Sequence, residues 1–486
     1  MKLLQWFSQL FKGKQREDTP SGTRQAIEDP IRLVKPSSDR SSNADKVLQK
    51  RQYHLGLDWG TSSTKLVLRD YSRNNAFVLY LDKNHKSYRY PSTIVRQNDC
   101  IYFGHEAEAK RNNAQKVWDA LKADLCHSAL AEQTDNSVSE KEDIATLYLA
   151  HIISRAFDIA EDHAARANEK AIMGMTLGIP AEELEQTALR TTYLNVVRTA
   201  YALATEKCYD PQGRKLSECK NVLNAVSENL ALKAKNKSPD GAAYASWLRP
   251  ELAAAMYWAI KSPKIQDDLY SCVDIGAWTT NASYFRIHHA DSNAKGISFF
   301  GGSCSQPGMI KLLDAIAHDI NPEGNTNYLS IIDNEEKHLR QAKHNAAIDD
   351  FGEECFAVWD KGFRSAYAKE KKQSSWDGKL NVMVVGGGSK VERIRQKFYK
   401  RFPHEGWQPP KAVPDLGIPN DLYELPAKGV LPEKRFSGDH TFLLVAYGLS
   451  VHSMDFPKTT LSPQVAPYQP KERSKFKPYD ECGYDK

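Results

Sequence analysis

No CxxC pair occurs in the 486 residues, and the eight cysteines (Cys100, Cys126, Cys208, Cys219, Cys272, Cys304, Cys355 and Cys482) lie far apart. That spacing excludes a zinc ribbon or a thioredoxin-type redox motif. Scattered thiols among apolar neighbours suit a reducing compartment, so the expected location is cytoplasmic. No run of about 18 apolar residues exists, which leaves no candidate for a membrane-spanning helix. One-sided charge is missing too. Lys and Arg number 66 against 61 Asp and Glu, and the formal net charge of +5 is spread along the chain, so nucleic acid is not an expected partner. The 14 histidines show no metal-ligand spacing, and His288-His289 reads as a surface pair. No Ser/His/Asp arrangement is legible either.

What remains is an ordinary globular composition, 41% hydrophobic and 26% charged, long enough for one large two-part unit or two to three smaller domains. The ends differ from the middle. In residues 1–14 Leu3, Leu4, Phe7, Leu10 and Phe11 recur at helical spacing beside Trp6, with Lys2, Lys12 and Lys14 around them. Two readings stay open for this amphipathic stretch: a helix packed on the protein's own surface, or one that docks on a partner or lies peripherally on a membrane. Polar Gln5, Ser8 and Gln9 interrupt it, and no small-residue cleavage site follows, which argues against a secretory signal. With the polar residues that follow, 1–50 reads as helix plus flexible tether. At the other end, Pro457, Pro463, Pro467, Pro470 and Pro478 among many lysines make 456–486 read as a disordered tail.

Between these ends, strand and helix signals alternate. A short apolar run at 54–58 (HLGLD), a Gly/Thr/Ser turn at 60–64 and a second run from Lys65 read as a β-hairpin. Strands are expected at 76–81, 101–103 and 175–181, the last ending at Pro180. Helices are expected at 104–130, 141–166, 182–205 and 250–261. The pattern then restarts. Residues 271–287 again read strand, Gly/Thr turn, strand; helices are expected near 307–320 and 335–370; NVMVV (381–385) runs into Gly386-Gly387-Gly388-Ser389; and helices are expected at 390–400 and 440–454. Many Pro and Gly residues in 403–440 predict an irregular insertion.

Three glycine-bearing turns therefore follow three strands. Such turns expose backbone N–H groups to phosphate oxygens. Asp58 and Asp274 occupy equivalent positions at the ends of the two hairpins' first strands. A carboxylate there cannot hold phosphate but can hold Mg²⁺, which keeps most of its water. Two phosphate turns and two carboxylates facing one another are what phosphoryl transfer needs, since that chemistry is mainly positioning and charge neutralisation.

LGLDWGTSSTKLVL (55–68) resembles the first phosphate motif of the actin-like ATPase superfamily, VDIGAWTTNASYF (273–285) its second and VVGGGSKVERI (384–394) its adenosine motif. YPSTIV with IYFGHEAEA (90–109), TLGIPA (176–181), RPELAAAMY (249–257) and VAYGLSV (445–451) resemble stretches of the DnaK-type heat-shock-70 chaperone branch. The resemblance spans about 53–455 and implies a duplicated, ribonuclease-H-like α/β fold in two lobes with a nucleotide cleft between them: lobe I over 51–262, lobe II over 263–440, and a helix near 440–455 returning to lobe I. It implies ATP or ADP with Mg²⁺ as ligands. Asp58 and Asp274 would surround the metal and the attacking water, and Thr279, counted with the catalytic residues, would contact phosphate. Gly60, Thr61, Ser62 and Ser63 would contact phosphates, as would Gly276 and the later turn Gly301-Gly302. Lys122 would be the catalytic lysine; it reads equally as a solvated helix lysine. Glu251 would lie near the metal. Gly386, Gly387, Gly388, Ser389 and Lys390 would line the adenosine site, with Lys343 on the adenine-clasping helix.

Two features depart from that family. Ala277 and Trp278 stand where its second phosphate loop has glycines, which predicts slow turnover or binding without it. No substrate-binding β domain or lid follows residue 455, so the expected activity is a nucleotide-controlled switch acting on a protein partner. Two other readings fit the same core: a carbohydrate-type small-molecule kinase, and an actin-like filament or nucleotide-gated scaffold.

Overall fold

The computed structural model describes residues 48–82, 85, 87–130, 136–180, 187–235, 247–289, 295–320, 339, 341–370, 379–400, 407–425, 434–457 and 459–460. The helix expected at 1–14 and most of the 456–486 tail lie outside the described residues. Among those residues no helix is long and apolar enough to cross a membrane.

The chain is a mixed α/β protein with several sheets. Strands β1 (Gln49–Trp59) and β2 (Ser63–Asp70) form the first expected hairpin, in a register that sets Trp59 opposite Thr64. Strand β3 (Asn75–Val78) adds antiparallel to β2, and the short β4 (Tyr90–Pro91) pairs with the start of β2. A separate three-stranded sheet follows, of β5 (Ile94–Gln97), β6 (Cys100–Phe103) and β7 (Lys116–Trp118). The chain then returns: β8 (Glu169–Ile179) lies parallel to β1, and β9 (Leu248–Pro250) parallel to β8.

The second large sheet repeats this plan. Strands β10 (Asp268–Ile275), β11 (Thr280–His289) and β12 (Lys295–Ser305) form an antiparallel meander, and β13 (Asn381–Val385) lies parallel to β10. Strand β14 (Lys411–Ala412) continues parallel to β13. Both large sheets thus contain one unit, a three-strand meander with a parallel strand against its first member.

Several segments depart from expectation, among them the helix Leu216–Lys235, where none was expected. The irregular region carries β15 (Leu422–Glu424), parallel to β3, and β16 (Lys434–Arg435), antiparallel to β15, so the chain rejoins the first sheet before the boundary placed at residue 440. Strand β17 (Thr459–Thr460) pairs with Ile297 and Ser298 of β12, inside a stretch expected to be disordered. The single helix expected over 104–130 is instead Gly104–Lys110, a 3-10 turn, β7 and the helix Leu121–Leu130.

Strand β1 shows why the core forms where it does. From Tyr53 to Trp59 every residue is buried, because both faces of the strand are covered. A core that includes Tyr53, Leu55, Leu57 and Trp59 continues into Ile144, Tyr148 and Ile152 of the long helix Asn136–Ala165 and Tyr193 and Val197 of the helix Thr187–Thr205. Elsewhere no side chain fits at all. A Cβ on Gly56 would lie 2.1 Å from the carbonyl oxygen of Ala446 in the helix Leu444–Leu449. A Cβ on Gly448 of that helix would lie 1.9 Å from the carbonyl of Ala254 in the helix Glu251–Lys261. A strand and two helices are therefore stacked backbone on backbone. The helix Glu251–Lys261 in turn packs Ala255, Met256, Ala259 and Ile260 against Tyr270, Cys272, Phe285 and Ile287 of the second sheet. The other face of that sheet packs on the helices Met309–Ile320 and Asn345–Glu370, through Leu312, Ile348, Phe351 and Trp359.

Candidate functional site

A cleft of about 2180 Å³ is lined by residues from both large sheets. Its floor is where the two hairpins and the helix Glu251–Lys261 meet. Asp58, next to last in β1, is buried and forms an ion pair with Lys65 of β2 at 3.1 Å, across the same hairpin. Asp274, next to last in β10, holds the matching position in the second hairpin, opposite Asn281. Glu251 enters from the first turn of its helix, and Lys122 Nζ donates to Glu251 Oε1 at 2.6 Å from a position that is itself buried.

The charges are coupled. Desolvation first, then the negative charges of Glu251 and Asp58, raise the carboxyl of Asp274 to about 6, with Lys65 and Lys122 offsetting them only in part. Three carboxylates thus face two ammonium groups, which makes the floor a place short of positive charge. Among the described residues no three His, Cys, Asp or Glu side chains come together as a direct metal-ligand set. The donors present therefore suit a hydrated divalent ion held through its waters by two carboxylates.

Each turn is braced from behind. In the first, the hydroxyl of Ser92 donates to the Gly60 carbonyl at 2.7 Å, and the Ser92 N–H donates to the Ser62 carbonyl at 3.0 Å. A Cβ on Gly60 would come within 3.0 Å of Lys65 Nζ, so this ammonium lies directly over the turn. In the second, the Gly276 N–H donates to the Thr279 carbonyl at 2.9 Å, and the N–H groups of Met309 and Ile310 donate to the carbonyls of Gly276 and Ala277, each at 2.9 Å. Trp278 lines the cleft, and its indole Nε1 is buried with no hydrogen-bond partner among the described residues. In the third, Gly386 has φ +79°, and a Cβ there would lie 2.2 Å from Asp274 Oδ1. Glycine is thus required twice over at 386, by backbone conformation and by contact with the carboxylate.

Asp58, Gly60, Thr61, Ser62, Ser63, Lys122, Glu251, Asp274, Gly276 and Thr279 all line this one cleft, as do Gly301, Gly302, Gly386, Gly387 and Lys390. Three expected residues do not. Ser389 is buried, and its hydroxyl is spent on the Gly386 carbonyl at 2.7 Å. Gly388 faces inward, where a Cβ would strike Ile275 at 2.3 Å. Lys343 lies exposed on the 3-10 turn Ala342–His344, while Asn345 and Ile348, a little further on, do reach the cleft. Lys65 and Ser92 were missed among the candidates. A lysine near the start of a strand and a serine after a proline carry no chemical signal of their own until the turn they support is in place.

No protein-family model matches this chain, and no curated protein sequence matches it.

Proposed function

We propose that the chain is a DnaK-like, actin-fold ATPase, its two large sheets being the two lobes, and that ATP with Mg²⁺ binds in the cleft between them. The observation that carries this reading is the meeting of Asp58, Asp274 and the Lys122–Glu251 pair beneath three glycine turns. The repeated meander-plus-parallel-strand unit of the two sheets supports a duplicated fold. Bound Mg²⁺ would neutralise phosphate charge, held by Asp58 and Asp274 through its waters.

The chain's own groups divide the remaining work. Lys65 and the turn at Gly60–Ser63 place an ammonium and backbone donors where phosphate oxygens would rest. Glu251 fixes Lys122 in one rotamer, so that its ammonium is already oriented when a terminal phosphate and its attacking water arrive. Ionised Asp274 is the group that would orient that water. Its carboxyl, raised to about 6, is largely ionised above neutral pH and protonated in more acidic solution. Relative movement of the two halves on binding would alter a surface read by a protein partner.

Asp274→Ala tests the assignment. The expected outcome is loss of steady-state ATP hydrolysis with the circular dichroism spectrum unchanged. Turnover equal to that of the unaltered protein would refute the role given to Asp274. Nucleotide binding without turnover in the unaltered protein would point to Trp278 and to a nucleotide-gated scaffold.

A further inference from the structure

Lys390, assigned above to the nucleotide, is already engaged by the protein itself. It closes the third glycine turn on the second sheet, and its Nζ forms an ion pair with Asp439. Asp439 belongs to the segment that leads, through the 3-10 turn His440–Leu443, into the helix packed on β1. The pair therefore spans from the second sheet to elements anchored on the first. Asp439 is held ready: its Oδ1 accepts from the Thr441 N–H at 3.0 Å and the Thr441 hydroxyl at 2.6 Å, and its carbonyl accepts from the Tyr88 hydroxyl at 2.9 Å.

A second cation stands close by. The Arg89 guanidinium lies 4.7 Å from the ring centroid of Phe442, and Lys390 Nζ lies 5.6 Å from the same centroid. The ring edge comes within 4.0 Å of where a Cβ on Gly387 would be. Arg89, Gly387, Lys390, Asp439, Thr441 and Phe442 all line the cleft. Two positive groups are thus gathered around one aromatic ring, and a carboxylate of the chain sits on one of them.

We propose that Asp439 is an internal competitor for the ligand of this cleft: it occupies Lys390, and a phosphate group of the ligand takes Lys390 by displacing it, with Arg89 as the second cation. This rests on the nucleotide reading for the ligand's identity, and it moves Lys390 from the adenosine site, where the resemblance put it, to a phosphate. The competition is weak enough to be reversible. The side chains of Lys390 and Asp439 are 45% and 31% exposed, so water screens their attraction, and a phosphate dianion outbids a single carboxylate. Displacement also releases the tie between the two sheets, so occupancy of the cleft and separation of its rim become one event.

The test is isothermal titration of the full chain and of Asp439→Asn with ADP, inorganic pyrophosphate and adenosine. Asparagine can still accept from the Thr441 N–H, so the turn is kept. The expected result is that Asp439→Asn binds ADP and pyrophosphate about threefold to fivefold more tightly and adenosine equally well. Gain with ADP but not with pyrophosphate would place the phosphate within a nucleotide; gain with both would show that the phosphate alone suffices. Unchanged or weaker ADP binding would overturn the proposal. If the unaltered chain binds none of the three, the nucleotide reading falls, and amide hydrogen exchange decides the tie by itself. Faster exchange over Gly386–Lys390 and His440–Leu443 in Asp439→Asn would support it; identical exchange would end it.

Discussion

Lys122 Nζ and Glu251 Oε1 stand 2.6 Å apart although 129 positions separate them in the chain, and both side chains are about nine-tenths buried. A lysine in such a place is either paired or neutral, because an isolated ammonium is too costly to bury. The pair removes the solvated-lysine alternative. What it leaves is an oriented cation at the floor of a cleft, beside carboxylates that repel one another.

Replacing Lys122 separates structure from chemistry. Lys122→Ala should lower ATP turnover about 10²-fold to 10³-fold, the usual loss for one preorganised charge-stabilising group. ADP affinity should change by no more than about threefold, since binding rests on the glycine turns and Lys65. Parallel steady-state kinetics and calorimetry check this. Equal losses in turnover and affinity would mean that Lys122 supports binding and not the chemical step.

Acid stability follows from a histidine far from the cleft's chemistry. His54 is buried, with Nε2 2.9 Å from the Thr176 hydroxyl. Burial, then the positive charge of Arg249, His452 and Arg69, lowers its pKa from 6.5 to about 3. The folded protein therefore holds it neutral while the unfolded chain protonates it. Stability from this group is complete above about pH 6.5 and is lost as pH falls toward 3, at about 1.4 kcal/mol per unit. Urea unfolding should show a loss of about 2 kcal/mol between about pH 6.5 and pH 5, with a shallower slope in His54→Gln. An identical slope in the variant would assign the effect elsewhere.

Gly448 and Gly417 make a matched comparison. Gly448→Ala should cost about 3 kcal/mol, because the new methyl would lie 1.9 Å from the Ala254 carbonyl and neither backbone can withdraw cheaply. At Gly417 φ is +69° and nothing lies within 4 Å, so alanine there meets backbone strain alone, about 1–2 kcal/mol. Chemical denaturation of both variants checks the order. A reversed order would mean that the helices part easily at this contact.

Much of the framework was legible because its signals are local. A strand ending in Asp, a Gly/Thr turn and a second strand fall within about fifteen residues, and both hairpins form as that pattern predicts. The matching strand-end positions of Asp58 and Asp274, which both line the cleft, were legible for the same reason. The misses concern contacts between distant positions. Nothing beside Ser92 announces that it braces Gly60, and Tyr88 meets the carbonyl of Asp439 across 351 positions. Strands as short as β15 and β17 have too little pattern to declare themselves; they exist because an exposed sheet edge accepts them. Lys343 illustrates the opposite error. A helix near the cleft was expected, and Leu339, Asn345 and Ile348 reach it, but Lys343 falls on the exposed 3-10 turn that precedes the helix Asn345–Glu370.

The contacts at Gly56 and Gly448 have a mechanical consequence. Ordinary interfaces are cushioned by side chains that can change rotamer and absorb a small displacement. At Gly56 and Gly448 that padding is missing and peptide groups bear directly on one another, while Tyr257, Trp258 and Tyr447 pack side chain to side chain beside them. A shift of Glu251 by a few tenths of an ångström has no soft element in which to dissipate at these points. The direct route runs through Ala254 and Ala446 to the strand that carries Asp58.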